Sequence, residues 1–221
     1  MLVLLLLFVG VFVTHLVFVS RKNRLGEMVT KPVLIPLLLL FYVLFNPHPQ
    51  GLVVAALAFG FAGDALLLGR REIFFILGLA AFLLGNLFYL AAFLGTSGVI
   101  TGVTAGNTSV VVGLLWGLIP YALGGFLVIR GLWRPLGPMR VPALVYLIVI
   151  FLMSWSSWFM LSKGLSWPAV AGIAGSLLFI ISDVVLTVNL FVRPEKRYQL
   201  VVMLLYVTAQ ALLMGSFLFA S

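Results

Sequence analysis

The sequence predicts an all-α, polytopic membrane protein of about eight transmembrane helices, forming one transmembrane domain over residues 1–221. Three observations predict it. First, 64% of the 221 residues are hydrophobic and only 8% are charged, against about 45–50% and about 25% in a soluble domain. Second, the five acids are too few to solvate a globular surface, which excludes a soluble enzyme, a nucleic-acid module and a disordered tail. Third, the apolar residues form long runs broken at polar or Pro/Gly clusters. At about 20 residues per span, about eight spans leave short loops and no room for a soluble domain. There is no cysteine, which excludes disulfides, thiolate catalysis and Cys-ligated metal.

The expected spans are 2–20, 32–46, 51–69, 73–95, 109–130, 141–161, 167–192 and 199–220. The first is read as a span rather than a signal peptide, because its basic cluster follows the apolar run instead of preceding it. The second is expected to start at Lys31-Pro32, since proline suits a first helical turn. Between the second and third, Asn46-Pro47-His48-Pro49-Gln50 reads as a tight turn.

Loop charges set the expected orientation. Arg21, Lys22, Arg24 and Lys31 lie between spans one and two, and Arg70 and Arg71 between three and four. Arg130, Arg134 and Arg140 flank the loop between five and six, and Arg193, Lys196 and Arg197 lie between seven and eight. Only Lys163 falls on the other side. The positive-inside rule makes the basic side cytoplasmic and both termini external, with a bacterial inner membrane as the expected location. Trp155, Trp158 and Trp167 then mark the outer interface. The net charge of +8 reads as topology plus attraction to anionic lipid, so the bilayer is the expected partner and nucleic acid is not.

A weak internal repeat is visible. Gly63-Asp64-Ala65-Leu66-Leu67-Leu68 in span three parallels Ser182-Asp183-Val184-Val185-Leu186-Thr187 in span seven. Lys31-Pro32 parallels Arg140-Val141-Pro142, and Asn86 with Tyr89 parallels Gln210 with Tyr206. The spacing suggests a parallel 4+4 duplication.

Asp64 and Asp183 are the only acids inside expected spans; Glu27, Glu72 and Glu195 sit in basic loops. An aspartate at a span centre costs about 2.5–3.5 kcal/mol, so it faces a bundle interior or wet cavity and marks function. Asp64 precedes Arg70 by six residues and Asp183 precedes Arg193 by ten, depths of about 9 and about 15 Å at 1.5 Å per residue. Both are expected in a cavity opening towards the basic side. Gly60, Gly172 and Ser176 allow close helix approach beside them. Asn86 with Tyr89, and Tyr206 with Gln210, share helix faces and offer hydrogen-bond groups either to that cavity or to neighbouring helices. Lys31 either binds a lipid phosphate or snorkels to the interface. His15 and His48 lack a second ligand at metal spacing. Ser154, Ser156 and Ser157 have neither a nucleophile elbow nor a histidine nearby.

Several strings resemble a known family. They are Lys31-Pro32, Gly63-Asp64-Ala65-Leu66-Leu67-Leu68, the stretch Leu79 to Tyr89 containing Gly85-Asn86, the stretch Gly175-Ser176 to Ser182-Asp183, and Tyr206-Val207-Thr208-Ala209-Gln210. In this order they look like the YhhN/TMEM86 family of lysoplasmalogenases and cover roughly half of the chain. Members often carry His where this chain has Asn86. The resemblance implies an integral membrane hydrolase that cuts the vinyl ether of a lysophospholipid substrate, releasing a fatty aldehyde and glycerophospho-ethanolamine or -choline.

The residues suit that chemistry. Vinyl-ether hydrolysis starts with protonation of the alkenyl carbon, and a buried carboxylic acid can supply the proton. A second, ionised carboxylate can stabilise the oxocarbenium ion and activate water. The expected catalytic pair is therefore Asp64 and Asp183; either can be the acid, and the greater depth of Asp183 favours it as acid and Asp64 as carboxylate. Asn86, Tyr89, Tyr206 and Gln210 are expected to position water and glycerol, and Lys31 the phosphate. No metal or organic cofactor is implied. The rival reading is a small transporter or lipid-binding protein with the two aspartates as a proton relay.

Overall fold

The structure, a computed structural model, describes residues 1–69, 71–106 and 108–219, and all regular structure among them is helical. The helices are α1 (Leu2–Ser20), α2 (Arg24–Phe45), α3 (Gly51–Leu66), α4 (Glu72–Ser97), α5 (Val99–Thr104), α6 (Thr108–Leu132), α7 (Arg140–Ser157), α8 (Trp167–Phe191) and α9 (Lys196–Leu218). Short 3₁₀ turns at Gly137–Met139 and Trp158–Lys163 flank α7. Arg70 lies outside the described residues, as do the side chains of Lys163 and Lys196.

Seven helical stretches among the described residues are long and apolar enough to cross a membrane, so the protein is a polytopic membrane protein. The remaining expected span, α3, has only 16 residues. At 1.5 Å per residue it reaches about 24 Å, short of the roughly 30 Å hydrocarbon core. Its carboxyl-bearing last turn ends inside the bundle, followed by turn residues Leu67 and Leu68.

The second helix starts earlier than its proline suggests. Lys22 takes a left-handed conformation (φ 59°), and the Asn23 N–H bonds back to the Phe18 carbonyl at 2.9 Å, which closes α1. Asn23 then caps α2 by accepting from the Gly26 N–H at 3.1 Å. Pro32 and Pro36 therefore lie within α2 rather than at its start. The cap adds two inner turns to α2, and these turns bring Glu27, Thr30 and Lys31 to the basic end of the molecule. The outer turn forms as expected, with Asn46 Oδ1 accepting from the His48 N–H at 2.9 Å.

The core runs through α2, α3, α4, α8 and α9 and centres on Tyr42, Leu57, Tyr89, Phe93, Phe179 and Phe217. Two glycines stand against α9. A Cβ at Gly175 on α8 would stand 3.0 Å from the Ala209 carbonyl of α9, and one at Gly60 on α3 would stand 3.2 Å from Gln210 Nε2. The backbones of α8 and α9 therefore pack closely, whereas α3 is met by the long side chains of α9. The outside is apolar, with Leu6 on α1 and Trp116, Leu123 and Leu127 on α6 all exposed, as a lipid-facing surface requires.

Candidate active site

Asp64, in the last turn of α3, is 2% exposed. Its Oδ1 meets Lys31 Nζ at 3.1 Å across the α2–α3 contact. Its Oδ2 accepts from the Tyr206 hydroxyl of α9 at 2.8 Å. A carboxylate in an apolar bundle needs a counter-charge and donors to both oxygens, and α2 and α9 supply them. Behind Tyr206, the Tyr89 hydroxyl donates to Gln210 Oε1 at 2.9 Å, with both side chains buried.

Asp183, midway along α8, is more open. Its Oδ2 accepts from the Tyr146 hydroxyl of α7. No cation pairs with it among the described residues. Asn86 is buried on α4. Its Nδ2 donates to the Phe82 carbonyl at 2.9 Å, and its Oδ1 is buried without a partner.

Both carboxyls line one cavity of about 650 Å³, a size typical of lipid and small-molecule sites. Tyr146, Tyr206, Lys31 and His15 share its wall with apolar side chains such as Phe82, Leu147, Ile150 and Ile180. At the basic end it is bordered by Lys22, Arg24, Glu27, Trp133 and Arg140. Glu27 accepts there from Gln199 at 2.9 Å. Arg140 donates to the Trp133 carbonyl at 2.7 Å and lies over the indole. The chamber thus has a charged rim, an apolar body and two carboxyls in its wall.

Of the expected site residues, Asp64, Asp183, Lys31 and Tyr206 come together at this chamber. Lys31, expected at a phosphate, is drawn to Asp64 instead, because the extended α2 carries it alongside α3. Tyr89, Gln210 and Asn86 are not among the lining residues. Tyr89 and Gln210 form a buried layer behind Tyr206, and Asn86 one beside Tyr146. The supposed repeat does not extend to the carboxyl partners: Asp64 has a lysine and a tyrosine from α2 and α9, Asp183 a tyrosine from α7, and Arg140 turns to Trp133.

Tyr146 was not anticipated from the sequence. It is the one polar side chain between Arg140 and Ser154, and that isolation was the available signal. The serines of α7 belong elsewhere. Ser154 contacts Tyr121 and Ser176, and Ser157 contacts Ser176, at 2.9–3.1 Å near the opposite end of the bundle. Gly172 faces the Phe93 ring and serves packing.

Fold and cavity define a class: a polytopic membrane protein with a lipid-sized chamber that holds two differently partnered carboxyls. Within that class the chain belongs to the YhhN family, whose model matches residues 26–217. It is similar to the lysoplasmalogenase TMEM86A of Homo sapiens, at 26% identity over 174 residues, 75% of this chain and 65% of that relative. The match therefore spans just under two thirds of the relative's length. No solved structure matches the chain.

Proposed function

We propose that the protein is a membrane-embedded, metal-independent hydrolase that cleaves the vinyl ether of lysoplasmalogens. The observation that carries this reading is the unequal pairing of two carboxyls in one chamber: Lys31 balances Asp64, whereas Asp183 faces a phenol alone. Two carboxyls in different surroundings divide the roles of acid and carboxylate. The similarity to a lysoplasmalogenase supports the same chemistry.

In this reading Asp183 is the acid. Tyr146 occupies Oδ2, so the proton sits on Oδ1 and passes to the alkenyl carbon one bond away from the ether carbon. Asp64 faces the resulting oxocarbenium ion and takes a proton from the water that adds to it, giving a hemiacetal. The hemiacetal hydroxyl then returns a proton to Asp183, and Asp64 hands its proton to the departing ether oxygen. An aldehyde and a glycerol hydroxyl leave, both carboxyls regain their starting states, and one water is consumed. Tyr206 and Lys31 hold Asp64 in position. Tyr89, Gln210 and Asn86 hold the two tyrosines. The alkenyl chain occupies the apolar body, and the phosphate meets the basic rim, which lies on the cytoplasmic side.

The test is purified protein in detergent given lysoplasmenyl-ethanolamine, the matched acyl-ester lysolipid and the saturated alkyl ether, with aldehyde trapped as it forms. Aldehyde from the vinyl ether alone is expected. A saturated ether has no double bond to protonate, and an ester needs an activated nucleophile at its carbonyl. Equal fatty-acid release from the ester would mean acyl transfer, and no aldehyde from any vinyl ether would favour a transporter.

A further inference from the structure

His15 has no part in the chemistry above, yet it is 1% exposed and belongs to the cavity wall. It also lies outside the residues 26–217 that the family model matches. Its surroundings fix its tautomer. Thr30 Oγ1 donates its hydrogen to the Gly26 carbonyl at 2.7 Å, so in its 2.7 Å contact with His15 Nδ1 it accepts. Nδ1 therefore carries the ring hydrogen and Nε2 presents a lone pair. Nε2 is buried and has no hydrogen-bond partner among the described residues. A buried acceptor left unpaired is costly and calls for a partner from outside the chain.

The ligand group must donate a hydrogen, which excludes an ionised phosphate, an ether oxygen and an alkyl chain. It sits in the chamber that the two carboxyls also line, and Thr30, which holds the ring, is the neighbour of Lys31 in α2. The rim cation Arg24 stands seven residues from Lys31 along α2, about 10 Å at 1.5 Å per residue. A lysolipid carries one neutral donor in that interval. Its free glycerol hydroxyl lies between phosphate and ether, two carbons from the ether oxygen.

We propose that His15 Nε2 accepts a hydrogen bond from this free hydroxyl and so selects lysolipids over lipids whose hydroxyl is acylated. The inference rests on the lysoplasmalogenase reading for its choice of ligand. An acylated lipid has no hydrogen to give there and leaves Nε2 unpaired, and a site built around a hydroxyl rejects analogues that lack it.

The test uses ligands that cannot react: a saturated 1-alkyl lysophosphocholine and its 2-deoxy counterpart, titrated onto purified protein in nanodiscs. The wild type should bind the hydroxylated lipid about tenfold more tightly. His15→Leu should bind both lipids equally, at the wild-type affinity for the deoxy lipid. Equal wild-type affinities overturn the proposal without any variant, and so does a preference that survives in His15→Leu. Aldehyde release from a vinyl-ether lysolipid is scored separately. Aldehyde with equal affinities keeps the hydrolase reading and removes the role of His15. A tenfold preference without aldehyde removes the hydrolase reading and keeps the hydroxyl site.

Discussion

Lys31 and Asp64 meet at 3.1 Å between α2 and α3, where the lysine side chain is 17% exposed and the aspartate 3%. The pair satisfies a charge that the bundle could not otherwise hold. Replacing Lys31 with Met should therefore cost more than an ordinary surface change, about 3–5 kcal/mol, because it leaves an uncompensated buried carboxylate. Lys31→Met combined with Asp64→Asn should recover much of that loss. Thermal midpoints of the three variants in one detergent check this; a double variant no more stable than Lys31→Met would show that the pair is not coupled.

Asp64→Asn and Asp183→Asn should each lower aldehyde release by at least about a hundredfold, the usual contribution of a general acid or base. Asparagine keeps the shape but cannot exchange the proton. Normal expression with lost turnover is the expected result, and near wild-type turnover in either variant would end the two-carboxyl mechanism.

The two tyrosines should differ in what their loss does. Tyr206→Phe removes a donor from a carboxylate that keeps its lysine, whereas Tyr146→Phe removes the only side-chain donor seen at Asp183. A hydrogen bond to a charged group is worth about 1.5–3 kcal/mol; Asp64 is such a group at rest and Asp183 becomes one as its proton leaves, so each variant should lose roughly ten- to hundredfold in turnover, with Tyr146→Phe the more impaired. Steady-state rates with a vinyl-ether lysolipid decide the order.

Orientation is open to cysteine labelling, because the native chain has no cysteine. Arg134→Cys in the basic loop before α7 should react only with reagent on the cytoplasmic side. Leu165→Cys, in the loop before α8 and 84% exposed, should react only from outside. Reversed labelling would turn the rim of the cavity outward.

The sequence by itself determined the class of fold, the bounds of α1 and the two acids that lie within the apolar helices. Hydropathy is a local property, and Asp64 and Asp183 stand out because any ionisable group in an apolar run is costly wherever its helix packs. It did not determine their partners. Lys31 reaches Asp64 because a cap at Asn23 lengthens α2 past its prolines, and Tyr206 reaches it because Gly60 of α3 leaves room for the long side chains of α9. Tyr146 finds Asp183 from the neighbouring helix α7, a pairing the apparent repeat did not indicate. Which faces meet is set by side-chain volume and by capping in several helices at once, so only the tertiary structure decided which carboxyl has a counter-charge, and left His15 Nε2 buried without a partner at the chamber wall.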